Sequence, residues 1–174
     1  MVRGSSGTEN GSSSREYGLA FTIEPPASIR PGVAFSLPVV VAVRPVGTAG
    51  SEPLQQLVAG ASLRNETGAS PVVGLTGNLS SSVRSRVGNT TSGYARFGPL
   101  TIANPGRYKL RVMLAANTFS GVTVRGVVES GVIHVHPGAA ASQRPTATQI
   151  SRLQALIPEN LDISQADITA WQQA

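Results

Sequence analysis

His134 and His136 stand two residues apart in Ile133-His-Val-His-Pro, the spacing at which a strand sends both imidazoles to one side, where they could chelate a metal together. A metal site needs three or four protein ligands, and these are the chain's only two histidines, so the pair reads as a strand-end or surface feature. A serine hydrolase would need its nucleophile on a Gly-x-Ser-x-Gly elbow, and no such pentapeptide occurs. The nine acids lie mostly in tails and turns, which leaves no paired carboxylates for glycoside chemistry. Neither glycine-rich phosphate loop is present, and with no cysteine there is no thiol nucleophile, thiolate metal site or disulfide. The sequence therefore predicts a protein that is not an enzyme, with no catalytic residues, cofactor, metal or small-molecule substrate.

The cations carry more information. Thirteen of the fourteen are arginine, and no Asp or Glu occurs between Glu66 and Glu129, a stretch that holds Arg84, Arg86, Arg96, Arg107, Lys109, Arg111 and Arg125. In Arg107-Tyr-Lys-Leu-Arg-Val-Met-Leu strict alternation turns Tyr108, Leu110, Val112 and Leu114 inward and Arg107, Lys109 and Arg111 outward. Guanidinium groups ~6.8 Å apart along a strand match repeated anionic groups and can hold phosphates in bidentate fashion. If Arg84, Arg86 and Arg125 join that face, the surface suits duplex DNA, with binding that weakens steeply in salt. An acidic protein would fit it as well. The C-terminal segment leans the other way, with Glu159, Asp162 and Asp167 against Arg152, which suggests an anionic partner at the centre or self-association through opposite ends.

The elements that must position these groups are short strands. Nineteen Gly and twelve Pro punctuate a chain whose apolar residues are mainly Val, Ile, Leu and Ala. Tyr17, Leu19, Phe21 and Ile23 alternate onto one side of a first strand that Glu24-Pro-Pro stops. Ala34 to Val43 reads as a central strand, with Val40 adding apolar character to its second face. Further strands are expected over Leu57 to Leu63, Gly74 to Val83, Tyr94 to Ile102, Arg107 to Leu114, and Gly121 to Val135 as one long or two short pieces. Thr148 to Ile157 carries Ile150, Leu153, Leu156 and Ile157 at helical spacing, and Ser164 to Gln173 adds a second short helix. The fold class is thus mainly β: an antiparallel immunoglobulin-like β-sandwich with one or two short C-terminal helices. Residues 1–15 form a disordered tail, 16–137 the sandwich, and 138–174 a helical segment packed on the same domain. Ile150, Leu153, Leu156 and Trp171 are candidates either for the core or for a partner-binding face. No stretch approaches the length of a membrane span. Asn10, Asn65, Asn78 and Asn89 head N-x-Ser/Thr sequons, which would matter in a secreted protein.

Taken in order, Tyr17-Gly-Leu-Ala-Phe-Thr-Ile with Glu24-Pro-Pro, Pro38-Val-Val-Val-Ala-Val, Leu75-Thr-Gly-Asn-Leu-Ser-Ser-Ser, Ala95-Arg-Phe-Gly-Pro-Leu-Thr-Ile, Pro105-Gly-Arg-Tyr-Lys-Leu-Arg-Val-Met-Leu and Ser130-Gly-Val-Ile-His-Val-His-Pro-Gly resemble the fungal velvet domain. The resemblance covers about residues 17–165, and Gly106-Arg-Tyr-Lys-Leu-Arg is its most specific part. It implies a fold similar to the Rel-homology domain, and a regulator of fungal development and secondary metabolism that forms homodimers or pairs with another velvet-like protein. It also implies binding to double-stranded DNA and a place in the nucleus or cytoplasm. In place of the family's basic, glycine-containing loop after the first strand stands Pro25-Pro-Ala-Ser-Ile-Arg30-Pro-Gly, with one cation. The DNA-binding candidates are then Arg30, Arg84, Arg86, Arg107, Lys109 and Arg111. The alternative is a secreted or surface β-sandwich binding module with no nucleic-acid role.

Overall fold

Alternating β-branched residues form two packed sheets in the computed structural model, which describes residues 17–45, 56–86, 88–89, 92–118, 121–140 and 144–173. The expected tail, residues 1–15, and the sequon at Asn10 lie outside the described residues. The first sheet runs in the order β1 (Tyr17–Ile23), β3 (Val39–Pro45), β9 (Gly93–Phe97), β7 (Arg84–Ser85) and β8 (Gly88–Asn89). The second runs β2 (Ser28–Ile29), β13 (Ile133–Val135), β11 (Gly106–Thr118), β4 (Gln56–Asn65) and β6 (Ser80–Ser82), with β12 (Gly121–Glu129) also paired to β11. A small ladder joins β5 (Leu75–Gly77) to β10 (Leu100–Ile102). All pairings are antiparallel except the short parallel contact of β13 with β2. The mainly β sandwich with two C-terminal helices expected from the alternation is what the chain forms.

The inward faces meet in a core of Val39, Val41, Val43, Leu57, Leu63, Phe97, Leu110, Val112, Leu114 and Ile133, all fully or almost fully buried. Branched aliphatic side chains fill it because the chain has few aromatics to spend. Along one side the sheets close on each other: a Cβ at Gly126 of β12 would stand 2.9 Å from the Tyr17 carbonyl oxygen of β1. Only a residue without a side chain permits that approach.

A second core lies on the other face of the first sheet. It holds Ile23, Val40, Leu153, Leu156, Leu161, Ile163 and Ile168, so the C-terminal helices α1 (Ala147–Leu156) and α2 (Gln165–Gln173) form a third layer. Ile23 departs from the expected alternation. The register of β1 on β3 slips after Phe21, so that Phe21 lies opposite Val41 and Ile23 opposite Val40. A bulge reverses which face the next side chain takes, and Ile23 joins Val40 under the helices instead of Tyr17 and Phe21 in the sandwich. Both helices open with reciprocal caps, Thr146 with Gln149 and Ser164 with Asp167.

Two of the expected strands break. Gly74 to Val83 becomes β5 and β6, and Tyr94 to Ile102 becomes β9 and β10 on either side of Gly98-Pro99. Proline has no N–H to give a ladder and Gly98 sits at φ 139°, so the chain leaves one sheet there and enters another pairing. The central strand begins at Val39, later than the expected Ala34, because Pro38 ends the irregular segment before it.

Candidate functional site

The long strand β11 positions the outward cations. Its neighbours carry the same side-chain period, so the register decides what each cation faces: Arg107 lies opposite His134, Lys109 opposite Arg64, and Arg111 opposite Ser62 on β4 and Glu129 on β12. Arg107, Lys109 and Arg111 do stand on one face, as alternation required, and Arg64 adds a fourth cation that the pattern of β4 did not single out.

The row is not bare. Arg111 donates from Nε at 2.9 Å and from its terminal nitrogen at 2.6 Å to one Glu129 oxygen, and also reaches the Gly68 carbonyl at 3.3 Å. Arg107 lies 3.8 Å from Glu66, both well exposed. The two acids that bound the acid-free stretch in sequence are thus the two that fold back onto it. Between these pairs Arg64 and Lys109 face each other, and among the described residues neither has an ion-pair partner. Opposed like charges on adjacent strands cost stability.

Arg84 and Arg86 do not join this face, so they do not meet the condition for a wider basic surface around the β11 row. They belong to β7 and the turn after it, at the edge of the first sheet, and are claimed by the C-terminal acids. Arg86 donates to Glu159 at 2.8 Å and its backbone N–H donates to the same carboxylate at 3.2 Å, while Arg84 contacts Asp162 at 3.2 Å. The bond from Arg86 holds the Glu159 carboxyl below the ordinary carboxylate range, and Glu159 in turn raises the Arg86 guanidinium. Arg96 adds bonds to the Leu161 and Asp162 carbonyls. The opposite charges of the middle and the end of the chain therefore meet inside one molecule. Arg30 is also engaged within the fold, donating from Nε to the Ala139 carbonyl at 2.7 Å, and it follows β2, two strands from β11 in the same sheet. Arg125 is the bulged residue of β12, between Val124 opposite Ala115 and Gly126 opposite Leu114, and its Nε is buried with no bonding partner.

Of the apolar candidates, Leu153 and Leu156 are sealed in the second core, and Ile150 and Trp171 pack against it. The stripe packs on the sheet below it, so Leu153 and Leu156 take the core place, while Ile150 and Trp171 stay partly exposed at its margin. His134 and His136 stack with ring centroids 4.1 Å apart, and among the described residues no group of three His, Cys, Asp or Glu could hold a metal. Burial, then His136 and Arg107, hold the His134 imidazole below its ordinary value.

The feature that sequence reading missed is the other half of the same sheet face. Beyond Arg111 the outward positions of β11 are Met113 and Ala115, flanked by Gly60 and Val58 of β4 and by Val127 and Val124 of β12. Val122, Val124 and Val127 are 71%, 51% and 49% exposed, and a groove of about 350 Å³ runs between Val58, Gly60, Ser80, Met113, Ala115 and Val122. The helices cover the first sheet, and among the described residues no element covers the second. Its outer face is thus divided, basic toward Arg107 and apolar toward Ala115. The signal was present as valines at 122, 124 and 127, but only the register across three strands gathers them with Met113 and Val58.

No helix among the described residues is long and apolar enough to cross a membrane. Compared with known protein families and with curated proteins, the chain matches none of either.

Proposed function

We propose that this chain is a non-enzymatic, velvet-like regulatory domain, nuclear or cytoplasmic, that works by pairing with a second copy of itself through the open outer face of the second sheet. The observation that carries this reading is the apolar half of that face: three exposed valines on one strand, continuous with Met113, Ala115 and Val58 on the next two. Contiguous apolar surface of this kind on a folded domain marks a contact site. A two-fold axis lying in the face and crossing its apolar half sets each apolar half on the other. It also carries the two cation rows to opposite ends, where they do not oppose each other. Like-charge repulsion is avoided without any acidic partner, which favours a second copy over a different protein.

Double-stranded DNA is a second reading, favoured by the Arg64 and Lys109 pair, two facing cations with no acid between them. Because Glu66 and Glu129 already engage Arg107 and Arg111, the row offers a duplex fewer free charges than the sequence suggested. Sedimentation velocity of the whole chain, alone and with a duplex, tests both readings. Self-association lost in Val124→Lys and kept in Lys109→Glu supports the homodimer. Duplex binding lost in Lys109→Glu supports the nucleic-acid role. A wild-type monomer at every concentration defeats the proposed dimer.

A further inference from the structure

Between the edge strand β6 and the loop that follows α1 lies a polar cleft of about 450 Å³, whose lining includes Ser80, Ser81, Ser82, Arg84, Arg96 and Asp162. Its charged lining is two guanidiniums against one carboxylate, a net excess of one positive charge. We propose that this cleft is an anion site that takes a phosphate group, and that the Asp162 carboxylate occupies the place of that phosphate when none is bound.

The two ion pairs at this edge of the first sheet differ in kind. Arg86 and Glu159 form a closed clamp: the contact is 2.8 Å, the carboxylate also accepts a backbone N–H, and the Glu159 side chain is only 12% exposed. Arg84 and Asp162 form an open one. Their single contact is 3.2 Å, and the Asp162 side chain is 81% exposed at the mouth of the cleft. Asp162 also adopts a left-handed backbone at φ 59°, as does Asn160 at φ 66°, a conformation that asparagine and aspartate tolerate better than most residues. The carboxylate is thus held in place by one loose contact, and the loop behind it is fixed separately by the bonds from Arg96 to the Leu161 and Asp162 carbonyls. The carboxylate can leave while the loop stays.

The remaining lining suits a tetrahedral anion better than a planar one. Arg84 is oriented by Ser82, whose hydroxyl oxygen accepts its Nε at 3.4 Å, so the terminal nitrogens point toward Asp162. Ser81 is committed within the fold, accepting from the Arg96 backbone N–H and donating to the Ser82 carbonyl. Ser80 and Ser82, two residues apart on β6, line the cleft together with Arg84. A phosphate, with acceptor oxygens pointing in several directions, can use a guanidinium fork and out-of-plane hydroxyls together, whereas the acceptor sites of a carboxylate lie in one plane. The phosphate could be free or carried on a peptide side chain, and the chemistry of recognition is the same.

The test is amide and arginine Nε chemical-shift titration of the whole chain with inorganic phosphate and with a short phosphoserine peptide, against chloride at equal ionic strength. Saturable shifts confined to Ser80–Ser82, Arg84 and Arg96 are expected, absent with chloride. Arg84→Gln should abolish them. Asp162→Asn, which keeps a residue suited to the left-handed loop, should tighten phosphate binding about tenfold by removing the competing carboxylate. Tighter binding of the peptide assigns the phosphate to a chain, and equal binding assigns it to a free or small-molecule phosphate. No shift at the cleft, an equal response to chloride, or weaker binding by Asp162→Asn overturns the proposal.

Discussion

Arg111 and Glu129 face each other across β11 and β12 and share a 2.6 Å contact, although alternation along β11 predicts Arg111 as a free, outward-facing charge. Both are mostly buried, and the carboxylate is hemmed in by the turn after β4, where a Cβ at Gly68 would stand 2.7 Å from a Glu129 oxygen. Gly68 also has φ 80°, in the left-handed region. A double-mutant cycle on Arg111→Ala and Glu129→Ala, read by urea unfolding, should give a coupling of about 1 kcal/mol or more, against about zero for the exposed Arg107 and Glu66 pair. Gly68→Ala should cost about 1–2 kcal/mol by the same measurement, from both backbone strain and displacement of the carboxylate.

Lys109 opposite Arg64 is a place where the fold forgoes stability. Lys109→Glu puts an acid across from Arg64 and should raise unfolding free energy by about 0.2–1 kcal/mol, the usual worth of a favourable cross-strand pair. The same substitution should remove whatever affinity the row has for anions. A stabilised variant with unchanged duplex binding would detach the row from nucleic acid.

Much of this architecture was legible in the sequence, for reasons that particular residues make plain. Tyr108, Leu110 and Val112 alternate with Arg107, Lys109 and Arg111, so the inward and outward faces of β11 follow from the pleat alone. Leu153 and Leu156 at helical spacing placed α1 correctly. Ile23 went to the other face because a bulge is a tertiary adjustment that alternation does not announce. Whether Arg84 and Arg86 join the β11 row was left open by the sequence, because their partners, Asp162 and Glu159, lie more than seventy residues away. The apolar half of the open face was invisible for a similar reason, since Val58, Met113 and Val124 become neighbours only through the register of three strands.

The third layer should be essential to the domain. Leu153→Ala empties a fully buried site between α1 and the first sheet and should destabilise by about 2–5 kcal/mol in urea unfolding. Trp171→Ala, at a partly buried position on the margin of the same cluster, should cost less.

Acid should loosen the fold in two stages. His134 titrates below its ordinary value when folded, so its contribution is complete above the unfolded value of about 6.5 and is lost as pH falls through the folded value. Glu159, held low by Arg86, contributes above the ordinary carboxylate range and loses that contribution as pH falls through its folded value. Thermal unfolding between about pH 7.5 and 5 should show Tm falling, and His134→Asn should flatten that limb while leaving the deeper acid limb, which Glu159→Gln should reduce.

The central claim is that the apolar half of the second sheet's outer face meets its own copy. The chain has no cysteine, so Val124→Cys supplies a sole thiol on that face and Gln172→Cys a control on the exposed side of α2. With a short bismaleimide, the Val124→Cys protein should form covalent dimers at dilute concentration far faster than the Gln172→Cys protein, and Met113→Glu in the same chain should abolish the difference. Equal rates for the two thiols would contradict the account.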